Sequence, residues 1–383
     1  MTKNVVILDA NNVISSGGPE VLKRHVDYAR ELEKQSAGNA KLVIIGNDTL
    51  IKNYSQISES DNSSLVVISI GEKRFTKLFF WKYAFTSLKK NKIGVSLLVS
   101  GDPWISGLNS VILKCIFLRR KKTLLQIQFH ADIFSKGWKT TSIRNYLKFI
   151  LARFTLLNAN LIRTVSKNQT IFLFDYLRKS QKVSCIPVPL IENEILKSKF
   201  NESLTSFGFF GRLHKDRGTE SLVRIFRKLL TEHPEINLII GGSGPESQSI
   251  ENRLAKVFPS QVKMLGNLSS NQAIEFWNQI DVLISLAKYE SYGRAPREAV
   301  LNQVPVIAFE SSGILDLKES QLGDWVELIS DAETSEGVLR IAQAVFSRSK
   351  SLPKPNQNDF PFNSATMVAR DWCEALDLET TLL

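Results

Sequence analysis

The 383-residue chain has little cysteine, no long apolar run and no fixed-period repeat. Its three cysteines, Cys115, Cys185 and Cys373, are far apart, odd in number and form no Cys-x-x-Cys pair, which argues against a disulfide framework or a zinc site and suits a reducing compartment. No apolar stretch is long enough to cross a bilayer, and the opening "MTKNVVILDANN" reaches Asp9 too soon for a secretory leader. A cytoplasmic protein, neither exported nor integral to a membrane, is the expectation.

What is present is globular: 43% hydrophobic and 23% charged residues, in a chain long enough for two domains. The net charge of +11 is unevenly spread. Residues 1–200 hold 31 Lys/Arg against 14 Asp/Glu, a balance of +17, whereas 201–383 hold 18 against 24, a balance of −6. One basic domain that meets a polyanion or an anionic membrane, joined to a domain with a different task, follows from that asymmetry.

Short apolar runs alternate with amphipathic ones. "VVILDA" (5–10) reads as a buried strand, and "PEVLKRHVDYARELEK" (19–34) sets Leu22, Val26, Ala29 and Leu32 at helical spacing. Further strands are expected at 41–46, 64–70, 95–100, 124–130, 161–166 and 183–188. After a Pro- and Asn-containing linker (185–204) the alternation restarts at "SFGFFGRL" (206–213) and runs to "VPVIAF" (304–309). The expected fold is α/β, two Rossmann-like doubly wound domains whose strands end toward a shared central cleft. The domains are placed at 1–190 and 203–362, with a C-terminal helical segment (364–383) packing back on the first.

Ligand chemistry in such folds sits in strand-to-helix loops. In "YESYGRAPREAV" (289–300) a helix is expected from about Pro296, with Glu290 before it and Glu298 in its first turn. The helix start can hold phosphate oxygens, Glu298 can accept from ribose hydroxyls, and Glu290 points toward the group the phosphate carries. Taken alone, the pair also reads as a dipole-complementing Glu298 and a solvated Glu290. "FFGRLHKDRG" (209–218) offers Arg212 and Arg217, two guanidiniums able to neutralise one diphosphate. "GGSGPE" (241–246) allows close backbone approach, and Gly266 ends another strand. His130 stands at a strand end, where a histidine serves structure or catalysis.

In order and spacing, "GRLHKDRG", "GGSGPE", "LGN", the Glu-x7-Glu of "ESYGRAPRE" and "AVLNQVPVIAF" resemble the retaining GT-B glycosyltransferases of the large GT4 group. "SSGGPEVLKRHVDYAREL", "GDPWISGLN", "QIQFHADIF" and "TVSKNQ" extend the resemblance into the first domain. It implies a nucleoside-diphosphate sugar donor, with Arg212 and Arg217 on the diphosphate and Glu298 on the ribose. Glu290 would contact the transferred sugar, with the backbone of Tyr292, Gly293 and Arg294 beside it. Gly17 and Gly18 would lie near phosphates and acceptor, and His130 near the reacting sugar. The family's usual lysine is Arg217 here, its frequent leucine is Arg294, and its Gly-Gly with a following glutamate is reduced to "SSGILD", which weakens the implication of contacts from Gly313 or Asp316. The chain contains no Asp-x-Asp, the pattern that holds a divalent metal in many other glycosyltransferases. No metal and no other cofactor are therefore expected.

The implied acceptor is a glycan or lipid-linked precursor of cell-surface polysaccharide. The basic, aromatic segments 72–93 (Lys77, Phe79, Phe80, Trp81, Lys82, Phe85, Lys89, Lys90) and, more weakly, 143–157 suggest peripheral contact with an anionic membrane at its cytoplasmic face. Alternatively these aromatics are core. The rival functions are a nucleotide-sugar epimerase of the same fold, a nucleic-acid-binding protein using the basic half, and an inactive partner subunit; nucleic-acid binding does not require Arg212, Arg217 and Glu298.

Overall fold

The computed structural model describes residues 2–16, 18–50, 52, 54, 65–71, 76–118, 122–135, 137–190, 201–360 and 364–377. The chain divides into two compact units: Met1–Val165 with Thr170–Pro187 and Asn363–Leu383, and Ser166–Gln169 with Val188–Phe362.

The first unit is built on seven parallel strands: β1 (Lys3–Leu8), β2 (Ala40–Gly46), β3 (Leu65–Ser69), β4 (Leu97–Ser100), β5 (Leu124–Gln128), β6 (Leu161–Thr164) and β7 (Lys182–Cys185). Their order is β3-β2-β1-β4-β5-β6-β7. β2 reads as a nearly continuous apolar run because it is covered on both faces. One face is covered by α1 (Gly18–Gln35) and the late helix α11 (Ala365–Ala375). Leu22, Val26, Ala29 and Leu32 of α1 are all buried, as their spacing requires. The other face carries α2 (Thr76–Lys90), α3 (Ile105–Ile112) and α4 (Ile143–Leu157), through residues such as Phe80, Val111 and Phe149. A further helix, α5 (Lys167–Phe174), follows β6.

The chain's return to the first unit is fixed by a buried polar junction. Trp372 donates through Nε1 to Gln126 Oε1 at 2.8 Å, and Gln126 Nε2 donates to Asp371 Oδ2 at 2.6 Å. Burial pushes the Asp371 carboxyl above its usual range, against the pull of that hydrogen bond. Trp372 is fully buried and meets Tyr28 edge-on, with ring centroids 6.0 Å apart.

The second unit has six parallel strands, β8 (Ser206–Phe210), β9 (Asn237–Gly241), β10 (Val262–Gly266), β11 (Val282–Ser285), β12 (Val306–Phe309) and β13 (Val326–Ile329), in the order β10-β9-β8-β11-β12-β13. Its helices include α6 (Thr219–Glu232), α7 (Ser270–Gln279), α8 (Arg294–Leu301), α9 (Ser312–Lys318) and α10 (Ser335–Ser349). α6 and α10 line one core cluster, with Leu222, Phe226, Val338 and Phe346 buried in it. β13 and α10 extend this unit beyond the expected last strand at 304–309. β13 is only four residues long, with its two middle residues half-buried, so it carries no strong apolar signal. The stretch after β9 forms one α-turn, Ser247–Ile250, running into a π-turn, Glu251–Ala255.

Both sheets reverse strand order once, at β1/β4 and at β8/β11. At such a point the two loops leaving the strand ends diverge and open a crevice within the unit.

Truncating Trp372 removes a large buried ring and takes the indole donor from Gln126 Oε1. Trp372→Ala should destabilise the first unit by about 3–5 kcal/mol, read as a lower urea midpoint in equilibrium unfolding; a change within error of zero would mean that α11 is not anchored there.

Candidate functional site

In the second unit the β8/β11 switch brings two loops together. After β8 the chain makes a short turn, Lys215–Arg217, and enters α6 through Gly218, whose φ of +77° is left-handed. A Cβ on Gly218 would stand 2.1 Å from the Leu286 carbonyl oxygen, just beyond β11, so only glycine lets the loops approach this closely. Arg217 and Glu290 meet across that approach in a direct ion pair, Nη1 to Oε2. Arg212 donates through Nη2 to Asp216 Oδ2 at 3.0 Å, and Asp216 Oδ1 is 2.7 Å from His214 Nδ1. Both arginines keep solvent-exposed surface, while Glu290 is mostly covered.

The second loop turns into α8 at Gly293, φ +76°, and no side chain caps that helix. The left-handed glycine starts the helix at Arg294, two residues earlier than expected, so Glu298 lies in the second turn and not the first. It therefore does not serve as a complement to the helix dipole. Glu298 is buried and accepts from Arg294 Nη2 at 3.0 Å, one helical turn away. Burial pushes its carboxyl above the usual range, and the Arg294 charge opposes that shift. Arg294 is thus a partner of Glu298, and Glu290 is not a solvated carboxylate.

Arg297 escaped the sequence reading. It is buried, lies over the Tyr292 ring with its guanidinium carbon 4.0 Å from the centroid, and donates to the Gly313 carbonyl at 3.0 Å. Gly313 N donates to the Glu290 carbonyl at 2.8 Å, and a Cβ on Gly313 would come within 2.6 Å of Tyr292 backbone atoms. Arg297 and Gly313 together hold the 290–293 segment. An arginine in an amphipathic helix reads as exposed, and its partners here are remote in sequence, so no local pattern signals the role.

Around this centre the other expected residues take backbone roles. Gly242 and Gly244 pack against Gly211 and Leu213, bracing the Arg212 loop. The Gly266 carbonyl accepts from Gly242 N at 2.7 Å, and Gly266 stands on the outermost strand, β10. Asp316 accepts from the backbone N–H groups of Lys167 and Asn168, both at 2.7 Å, a structural commitment.

In the first unit, His130 follows β5, and its Nε2 is 3.3 Å from Gln128 Oε1. Desolvation first, then the charges of Arg163 and Arg24, lower its pKa to about 3, although the residue retains substantial accessible surface. The imidazole is neutral at pH 7. Gly18 opens α1, and Gly17 lies outside the described residues. The β1 and β4 loops are tied by Asn11 Nδ2 donating to Asp102 Oδ2 at 2.7 Å, and Asp102 Oδ1 accepts from Trp104 N at 2.8 Å.

The arrangement in the second unit offers three guanidiniums, each seated on a carboxylate, beside an uncapped helix start. An anionic ligand would exchange with those carboxylates, and a buried carboxylate would be freed to accept hydroxyls. Among the described residues, the one grouping with metal-ligand spacing is Glu232, His233 and Glu336, on the surface at the far end of α6, about 20 Å from Arg217 at ~1.5 Å rise per residue.

Residues 191–338 match the family described as glycosyl transferases group 1. The chain is 24% identical over 129 residues to the capsular polysaccharide biosynthesis glycosyltransferase CapM of Staphylococcus aureus, covering 33% of this chain and 34% of that protein. It is 23% identical over 145 residues to the phosphatidylinositol N-acetylglucosaminyltransferase gpi3 subunit of Schizosaccharomyces pombe, covering 37% and 32%. The chain thus spans about a third of the length of these curated relatives. Among solved structures, the lipopolysaccharide outer core galactosyltransferase WaaB superposes with a TM-score of 0.65 at 14% identity, over 98% of this chain and 99% of that one. Anabaena Alr3699/HepE in complex with UDP and glucose gives 0.61 at 16%, over 98% and 96%. At these identities the likeness establishes the fold, which is GT-B.

The Arg294–Glu298 pair has a pH signature. A carboxyl whose folded pKa is raised favours folding while protonated, and that contribution is lost as pH climbs from the ordinary carboxylate range through the raised value. Arg294→Ala removes the opposing charge and widens the gap. Its destabilisation should therefore be larger at pH 7 than at pH 4, by about 1 kcal/mol for a pair with one buried partner. Urea unfolding at the two pH values measures this; equal losses would show that the two side chains are not electrostatically coupled.

Proposed function

We propose that this chain, whose residues 191–338 match the glycosyl transferases group 1 family, is a metal-independent, retaining glycosyltransferase that moves a sugar from a nucleoside-diphosphate sugar to a glycan or lipid-linked acceptor. The observation that carries the reading is the convergence, at one strand-order switch, of Arg217 on Glu290, Arg212 on Asp216 and Arg294 on buried Glu298.

In this reading the diphosphate takes Arg212 and Arg217 from their carboxylates. Breaking the bond between sugar and diphosphate leaves oxocarbenium-like charge on the sugar and negative charge on the departing phosphate. Guanidiniums already positioned by Gly218 and the Lys215–Arg217 turn stabilise that charge with little reorganisation. Glu290, released from Arg217, faces the sugar, and Glu298 accepts from the ribose hydroxyls. His130, neutral at pH 7, is a hydrogen-bonding group for the reacting sugar and not a cation. Gly18, at the start of α1, is assigned to the phosphates and acceptor. No metal is needed, because the guanidiniums and helix-start N–H groups supply the positive charge.

UDP-sugars are the first donors to test, since Anabaena Alr3699/HepE is held with UDP and glucose. The name of CapM supports a polysaccharide precursor as acceptor. The relatives CapM, gpi3 and WaaB are all named as transferases, which does not favour the epimerase or nucleic-acid readings.

Donor turnover with a panel of glycan and lipid-linked acceptors tests the reading. Arg217→Ala should lower kcat by roughly 10²–10³, the loss typical of one preorganised charge-stabilising donor. Glu298→Ala should chiefly raise the donor KM, and EDTA should leave the rate unchanged. Wild-type rate in Arg217→Ala, or loss of activity in EDTA restored by a divalent ion, would overturn the assignment. With the His130 pKa lowered to about 3, the kcat profile should show no inflection from that residue between pH 5 and 8, and His130→Asn should leave its shape unaltered.

A further inference from the structure

Of the two basic, aromatic segments, the one with the weaker sequence signal is the one left uncovered. In α2, Phe80 is buried, Trp81 and Phe85 pack against the core, and only Phe79 among these four is exposed. α4 buries Phe149, Ala152 and Leu156 on one side. On the opposite side Ile143 is 76% exposed, Leu147 60%, Ile150 48% and Phe154 48%, with Tyr146 beside them. These positions follow i, i+4, i+7 and i+11, a single continuous stripe. Isolated surface apolar residues need no explanation, but five on one helix face form a patch of the kind that meets a partner.

The chemistry bordering the stripe identifies that partner. At 3.6 residues per turn, Arg144 falls along one border and Arg153 along the other, while Lys148 lies further round with its Nζ 4.9 Å from the centroid of the Trp104 ring. Between residues 103 and 174 the sequence has twelve Lys/Arg and one carboxylate, Asp132, which is buried. A second copy apposed through this face would bring cations against cations. A nucleic acid would leave the isoleucine, leucine and phenylalanine side chains without an apolar partner. An anionic bilayer satisfies both elements, taking the stripe into the boundary between headgroups and acyl chains and the cations at the headgroup phosphates. Among the described residues no helix is long and apolar enough to cross a membrane, so the contact is one that lies on the surface.

We propose that α4 is the face by which this protein docks on an anionic membrane, through Ile143, Leu147, Ile150 and Phe154 inserted and Arg144 and Arg153 at the headgroups. The docking needs no donor or acceptor and stands or falls independently of the transfer reaction.

Co-sedimentation of the full chain with vesicles, without nucleotide, tests it. Wild type should bind vesicles of phosphatidylcholine with one-third phosphatidylglycerol at least tenfold more strongly than vesicles of phosphatidylcholine alone, and lose that advantage in high salt. Leu147→Glu with Ile150→Glu should weaken binding at least tenfold, with unchanged thermal unfolding because both side chains are already exposed. Arg144→Ala with Arg153→Ala provides a second variant with no change in the stripe, expected to lose most of the preference for anionic vesicles. Equal binding by wild type and the glutamate variant, or indifference to lipid charge, overturns the proposal. So does a wild type that ignores vesicles and is a dimer by sedimentation equilibrium, with the glutamate variant monomeric; α4 would then be a self-association surface.

Discussion

The second unit depends on guanidinium–carboxylate pairing at the point where its strand order reverses. Glu290 and Glu298 are largely removed from water, and a carboxylate in that position is tolerable only with a cation or a proton. Arg217 and Arg294 supply the cations. The pairing has a consequence for any anionic ligand of these guanidiniums: it would have to exchange places with the carboxylates that already hold them in position. The backbone keeps the partners in range, because Gly218 admits the Leu286 carbonyl at a distance no side chain permits, and Arg297 and Gly313 hold the 290–293 segment from behind.

Much of the fold is legible because parallel strands buried on both faces must be apolar throughout, and helices over them must repeat at 3.6 residues. That is why β1 to β7 and the spacing of Leu22, Val26, Ala29 and Leu32 can be read directly. The elements that escape are those for which this rule is weak. β13 is a short edge strand with one ladder to satisfy, and α10 follows it outside the alternating series. The gathering of Arg212, Arg217 and Glu290 is legible for another reason, since loops at the carboxyl ends of adjacent strands must be neighbours.

What the sequence leaves open is who pairs with whom. Glu298 reads as a first-turn residue until Gly293 proves left-handed and moves the helix start back to Arg294. Arg294 then falls one turn before Glu298 and becomes its counter-ion. Arg297 reads as a surface charge because periodicity identifies a helix's faces without identifying what lies against them; its ring and carbonyl partners are five residues before it and sixteen after. The same gap explains α2 and α4. Both are basic and aromatic, and only tertiary packing decides that Phe80 is core while Leu147 faces water.

The two units use positive charge in opposite ways. In the second, Arg212, Arg217 and Arg294 are each paired with a nearby carboxylate, which concentrates cationic chemistry at one point of a sequence half whose overall balance is negative. In the first, the sequence between residues 103 and 174 holds twelve Lys/Arg and one carboxylate, and the exposed apolar stripe of α4 is bordered by the exposed Arg144 and Arg153. Paired charge binds a small anion by local exchange and is little affected by distant salt, whereas unpaired surface charge attracts an extended anionic surface and is screened by it. If the proposed transfer and docking hold, the +17 and −6 halves would answer two recognition problems, a compact diphosphate and a broad lipid face, with different arrangements of the same side chains.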